Sequence, residues 1–189
     1  MKENKTDRRV KYTKTVLKDA LVHFMQKQHI SSISVKSLCE TADINRSTFY
    51  AHYTDQYDLL RQIEENVITN LRLHLEQQDY NNVLPVSAQV MTRILKYAKE
   101  NAELFQVLLS ENCDFAFQKD VLALSQIVSS QYNKALDTRT KDYLEAYSIT
   151  GCISIFQKWL KDGTVESAEE ITELILKLVF NGTASFQGK

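Results

Sequence analysis

A short run near the start of the chain, Asn45-Arg46-Ser47-Thr48-Phe49-Tyr50-Ala51-His52-Tyr53, carries a guanidinium, several hydroxyls and an imidazole on adjacent turns. Side chains of these types donate hydrogen bonds to phosphates and base edges, while Phe49 and Tyr53, four apart, would anchor the same helix in a core. On a helical wheel Ser47 and Ala51 lie opposite Phe49, flanked by Thr48 and Tyr50, with Arg46 in the first turn. Small residues at the outermost positions let a helix axis sink into a wide groove while its flanks reach the backbone. The chemistry implied is recognition of double-stranded DNA. Catalysis is not indicated: there is no H-E-x-x-H, no G-x-S-x-G and no glycine-rich phosphate loop, and His23, His29, His52 and His74 are dispersed. No enzyme activity, metal or cofactor is expected.

The elements that must position this run can be read upstream of it. Leu17, Ala20, Leu21 and Phe24 recur at helical spacing between Arg8 and Gln28 and define a first amphipathic helix. Met1 to Arg9 has no apolar period and four cationic side chains, the pattern of an arm. Ser34 stands where an N-cap of a second helix belongs, its oxygen free to accept from an orphan amide of the first turn. Asp43-Ile44-Asn45 then breaks the pattern, because Asp tolerates left-handed backbone angles and Asn45 is a second good N-cap. A tight helix-turn-helix follows, with Phe49 and Tyr53 expected to pack on Leu38, Ala42 and Ile44.

The segment A-D-I-N-R-S-T-F-Y-A-H-Y followed by T-D-Q-Y-D-L-L resembles the DNA-binding signature of TetR/AcrR-family transcriptional regulators, over roughly residues 8 to 62. The candidate DNA-contacting residues are Ser34, Lys36, Asn45, Arg46, Ser47, Thr48, Tyr50 and His52, all but the N-cap Asn45 placed by the resemblance. Lys36, Arg46, Ser47 and Tyr50 match positions facing base edges or the adjacent sugar-phosphate, and Ser34, Thr48 and His52 match phosphate contacts. Two departures stand out: Asp43 where the family usually has Gly, and Gln56 where it often has Lys.

Composition agrees with an all-α chain. Gly 4 and Pro 1 in 189 residues leave too little turn punctuation for hairpins. Cys39, Cys113 and Cys152 are odd in number and widely spaced, so a disulfide framework is not expected and a reducing cytoplasm is. Neither a signal peptide nor a membrane span is expected. Residues 1 to 61 hold 11 Lys+Arg against 7 Asp+Glu, and the remainder 12 against 17. That is a basic head on an acidic body, the electrostatic footprint of a DNA reader.

About nine helices are expected, in an N-terminal three-helix DNA-binding domain over 1–54 and a helical regulatory and dimerisation domain over 55–189. Leu60, Ile63, Val67, Leu71 and Leu75 place a long helix from Asp55 to about Gln78, a lever between head and body. Further helices are expected at about 86–100, 102–110, 115–136, 139–161 and 167–181, with Gly163 and Gly182 suited to C-caps. The last two carry more apolar surface than one core needs, and Gly151 would allow close backbone approach, so Tyr147, Gly151, Ile155, Ile171, Leu174 and Leu178 are expected at a homodimer interface, as the resemblance also implies. It further implies an effector pocket, for which Tyr97, Phe105, Phe117, Tyr132, Tyr147 and Phe156 are the candidates. The body is also similar to the dihydroxyacetone-kinase activator-like subgroup, through Lys158-Trp159-Leu160-Lys161-Asp162-Gly163. A repressor released by a small effector is the first expectation, and an activator or adaptor working through a protein partner is the alternative.

Overall fold

The computed structural model describes residues 5–76, 88–110, 112, 113, 117 and 137–182. Among these residues all regular structure is helical. Eight α-helices and one 3-10 turn follow one another: α1 (Lys5–Met25), the 3-10 turn Ile30–Ser32, α2 (Val35–Ala42), α3 (Arg46–Tyr50), α4 (Gln56–Glu76), α5 (Ala88–Glu100), α6 (Ala102–Leu108), α7 (Thr138–Lys161) and α8 (Ala168–Gly182). Phe117 is helical and buried, while the rest of the helix expected at 115–136, Tyr132 included, lies outside the described residues.

The chain forms two compact units, Met1–Val67 with Val107–Phe117, and Ile68–Gln106 with Gln118–Lys189. This division falls inside α4, not at the expected boundary between 54 and 55. The physical reason is burial: Leu59, Leu60, Ile63 and Val67, on the first turns of α4, are buried and group with the head. The head also takes in a segment distant in sequence. Asn112 donates from Nδ2 to the Met25 carbonyl at 3.0 Å, closing the end of α1, and its own carbonyl accepts from Ile30 N–H at 3.4 Å. The rest of the head core is the Leu17-Leu21-Met25 stripe of α1, Ile30 and Ile33 around the 3-10 turn, Leu38, Cys39 and Ala42 of α2, and Phe49 and Tyr53. Helix α1 packs on α2, and α2 on α3.

In the second unit α8 packs on α5 and α7. Their shared core joins Leu95, Trp159, Ala168, Ile171 and Ile175, with Met91, Cys152, Ile155, Phe156 and Val179 packed around it. A polar pair crosses the same contact. Thr172 Oγ1 donates to the Ala168 carbonyl at 2.7 Å, so the 3.0 Å bond to Thr92 Oγ1 takes its proton from Thr92. Helix α7 stops at Gly163, whose φ of +86° suits glycine, with Gly163 N–H donating to Leu160 O at 3.2 Å and Thr164 N–H to Trp159 O at 2.9 Å, the paired bonds of a Schellman motif. Lys99 Nζ then donates to the carbonyls of Thr164 and Glu166, and Trp159 Nε1 to that of Glu166, which ties the α7–α8 turn to α5. Gly182 is the last residue of α8 rather than the one after it.

Two residues expected at a subunit interface are committed to this core. Ile171 is 5% exposed within the cluster, and Ile155 is packed against it. One face of α8, carrying Ala168, Ile171, Ile175 and Val179, is spent on the subunit itself, while Leu174 and Leu178 project from another. Truncating Ile171 to Ala should therefore cost about 2–5 kcal/mol of fold stability through lost contacts and a cavity. A lowered urea midpoint is the expected measurement; an unchanged midpoint with a weakened dimer would instead place Ile171 between subunits.

Candidate nucleic-acid interface

The helix pair α2–α3 is built on two caps and a left-handed turn. Ser34 Oγ accepts from Ser37 N–H at 3.0 Å, and Ser37 Oγ accepts from Ser34 N–H at 3.3 Å, a reciprocal capping box at the start of α2. Ser37 Oγ also donates to the Ser34 carbonyl at 2.8 Å, so the 3.0 Å bond between the two hydroxyls uses the Ser34 proton. A phosphate contact from Ser34 must therefore draw that proton out of the cap. At the other end Asp43 sits at φ 52°, ψ 46°, and Ile44 N–H reaches back to the Cys39 carbonyl at 2.9 Å. Glycine is the cheapest residue for such a backbone, and Asp is among the few others that adopt it. The expected exchange of Asp for Gly is thus accommodated without changing the turn.

Asn45 opens α3. Its Oδ1 accepts from both Ser47 N–H and Ser47 Oγ at 2.9 Å. The helix proper is only Arg46–Tyr50, although His52 and Tyr53 N–H groups still bond back to Phe49 O, both at 2.9 Å. Phe49 is fully buried and Tyr53 nearly so, their rings 5.5 Å apart, and the Tyr50 ring meets Phe49 edge-on at 5.5 Å. What is left outside is the set picked from the sequence. Arg46, Ser47, Ala51 and Tyr50, the last 59% exposed, lie on the surface with Asn45 beside them, and Thr48 and His52 are half-buried at the flanks.

Lys36 is also exposed but faces Glu40 one turn on, Nζ to Oε1 3.8 Å. An exposed pair of this kind contributes little, so a phosphate would displace it at small cost. Arg46 also acts on Cys39 beneath it. Burial pushes the Cys39 thiol up, and the Arg46 charge offsets this only in part.

The start of α4 is fixed by carboxylates. Asp55 Oδ1 accepts from Asp58 N–H at 2.8 Å, while Asp58 Oδ2 accepts from Thr54 N–H at 2.9 Å. The Thr54 amide, then the Gln62 side chain and then Arg61 hold the Asp58 carboxyl below the usual range. Gln56, where the family often has a cation, is half-buried beside exposed Tyr57. Tyr57 and Tyr12 are exposed aromatics of the head that sequence reasoning did not single out. The signal for Tyr12 was available, since it falls off the Leu17-Leu21-Met25 stripe among Arg8, Arg9, Lys11 and Lys14.

The residues expected to line an effector pocket do not all come together. Tyr97, Phe105 and Phe156 form an edge-to-face chain with centroid spacings of 5.7 and 5.8 Å. Phe117 is buried in the head's compact unit, because the 107–117 segment folds there. Tyr147 is 64% exposed on α7, while the next two residues, Ser148 and Ile149, are buried.

The backbone at Asp43 yields a direct test of this scaffold. Asp43→Gly should leave stability unchanged or raise it by up to about 1 kcal/mol, whereas Asp43→Val should cost about 1–2 kcal/mol. Thermal melts of the two variants check this; a stable Val variant would contradict the left-handed turn.

With this geometry in hand, the chain can be placed among known proteins. A family described as "Transcriptional regulator C-terminal region" (TetR_C_8) matches residues 87–181. An uncharacterized HTH-type transcriptional regulator, YxbF of Bacillus subtilis (strain 168), is 22% identical over 166 residues, which cover 86% of this chain and 43% of that protein. The HTH-type transcriptional regulator AcrR of Shigella flexneri is 23% identical over 127 residues, 65% of this chain and 59% of that one. The chain thus spans about half the length of these relatives. A TetR transcriptional regulator from Streptococcus agalactiae 2603V shares the fold with a TM-score of 0.64 at 22% identity, covering 92% of this chain and 97% of that one. The fatty acid degradation regulator FadR of Bacillus halodurans shares it with a TM-score of 0.65 at 10% identity, covering 96% and 98%. The dihydroxyacetone kinase operon activator DhaS gives a TM-score of 0.56 at 22% identity, covering 93% and 98%. Together with the matched C-terminal region, these likenesses identify the chain as a member of the TetR family of transcriptional regulators.

Proposed function

We propose that the protein is a DNA-binding repressor that acts as a homodimer on a pseudo-palindromic operator and is released by an effector bound in the body. The observation that carries this reading is the surface of α3. Phe49 is wholly buried, and directly opposite it the helix presents small side chains, Ser47 and Ala51, with Arg46 and Tyr50 on either side. A bulky apolar outer face would mark a packing helix; this one suits entry into a groove. In this reading Arg46 and Lys36 reach base edges, Arg46 through a bidentate bond to guanine, while Ser34, Thr48, Tyr50 and His52 contact phosphates and Asn45 holds the helix start. The excess of cations in the first sixty-one residues supplies the nonspecific attraction.

Two-fold symmetry follows from the reading of a palindrome, with two heads about 34 Å apart on successive turns of the groove. The exposed large side chains are candidates for the subunit contact: Tyr143, with Arg139 over its ring, and Tyr147 on α7, Leu174 and Leu178 on α8. Gly151 belongs with them, since a Cβ there would meet no described atom within 4 Å. Among the described residues, the space left by that glycine is open. Helix α4, continuous from one compact unit into the other, is the natural route from effector to head.

Binding to operator duplex at two salt concentrations tests the reading, because a protein held by phosphate contacts loses affinity steeply as salt rises. Arg46→Ala should cost about 1–3 kcal/mol and relax preference at one base position, whereas Tyr50→Phe should weaken all sequences evenly. Equal losses on operator and random DNA for Arg46→Ala would remove its base-reading role. Loss of the protein should raise transcription next to its binding sites, and a fall would mark an activator or adaptor. Gly151→Leu should leave the helical content of the subunit intact while abolishing the dimer mass in light scattering; an unaltered dimer would move the interface elsewhere.

A further inference from the structure

Three buried polar side-chain atoms among the described residues lack a hydrogen-bond partner: His74 Nδ1, Arg93 Nε and Ser148 Oγ. All belong to the second compact unit. Buried polar atoms are nearly always paired, and leaving one unpaired costs the desolvation of the group. Helix spacing relates all three to one chain of aromatic rings. The His74 ring lies 5.5 Å from that of Tyr97, whose hydroxyl accepts from Asn70 Nδ2 at 3.2 Å, so consecutive turns of α4 run along this tyrosine. Arg93 precedes Tyr97 by one turn on the same face of α5. Tyr97 leads through Phe105 to Phe156 on α7, and Ser148, 7% exposed, precedes Phe156 by about two turns.

Helices α5 and α7 run the same way here. Lys99 lies over the Trp159 ring at 5.8 Å, and the core continues backwards through Leu95 and Met91 on one helix, Ile155 and Cys152 on the other. Stepping towards both N-termini from the aromatic chain therefore leads from Tyr97 to Arg93 and from Phe156 to Ser148.

We propose that this site takes an amphipathic monocarboxylate, its head accepting from Arg93, Ser148 and His74 and its apolar part lying along Tyr97, Phe105 and Phe156. Arginine Nε can only donate, and a hydroxyl and an imidazole can each donate as well, so the common partner is an acceptor, best a charged one. A water molecule satisfies a lone hydroxyl; an arginine donor beside it favours an anion. One guanidinium against an aromatic wall balances a single negative charge, whereas a phosphate dianion would be left partly uncompensated. This assignment rests on the reading of the body as an effector domain and gives that effector its chemical class.

The test uses the full chain without DNA, so its outcome is independent of the operator reading. Calorimetric titration compares decanoate with decanol and phenylbutyrate with phenylbutanol. At least one carboxylate should bind and raise the melting temperature, with its matched alcohol much weaker. Arg93→Gln should weaken that carboxylate about tenfold or more, Ser148→Ala should weaken it without lowering the melting temperature of the free protein, and Lys96→Gln, an exposed cation of the same helix, should change neither. Binding of the alcohols as tightly as the acids would overturn the carboxylate assignment while keeping an effector site. Binding by none of the four, or full carboxylate affinity in both Arg93→Gln and Ser148→Ala, would overturn the site itself.

Discussion

The burial of Phe49 is the interaction on which the head depends. Helix α3 has five residues, far too few to persist alone when helix nucleation is unfavourable and isolated helices shorter than about 12–15 residues are marginal. Its conformation is imposed by tertiary contact. A fully buried phenylalanine contributes about 1.5–3 kcal/mol, and Asn45 satisfies the amide that would otherwise be orphaned at the helix start. Once Phe49 points inward, the period of the helix leaves Arg46, Ser47, Tyr50 and Ala51 no choice but to point outward. The exposed face is the complement of the anchor.

The turn before α3 solves the matching problem of direction. Helix α2 must stop after Ala42 and the chain must reverse within three residues so that α3 can pack on α2. The left-handed residue does this locally, with Ile44 closing back on Cys39. Caps on both sides hold the geometry with bonds of the chain itself. In the proposed reading the cap residues would also contact phosphate, so scaffold and contact would share atoms, Ser34 most directly.

The body follows another rule. Its core is a cluster that α5, α7 and α8 share, with Lys99 and Trp159 pinning the carbonyls of the α7–α8 turn. The same unit holds three buried polar atoms without a hydrogen-bond partner, one of them on His74 at the start of the aromatic chain to Phe156, whereas Tyr147 and Leu174 are exposed. One region is polar, buried and unpaired, and the other is apolar and uncovered. Both are unfinished in the single chain, in opposite senses.

Much of this was legible in the residues themselves. The scarcity of Gly and Pro determined an all-helical chain, the Ser34 and Asn45 caps marked two helix starts to the residue, and Asp43 announced the left-handed turn, because such signals are local and act through the residue's own backbone. Periodicity likewise separated Phe49 and Tyr53 from the exposed face. The partner of each face was not legible. Ile171 and Leu174 are both apolar on one helix, and only the packing of α8 against α5 decided that the first is core and the second is uncovered. The same holds for Phe117 and Asn112, distant in sequence from the head yet folded into it, and for Lys36, whose neighbour Glu40 engages it. A helical period states which residues share a side, and three-dimensional contact alone states what lies across from it.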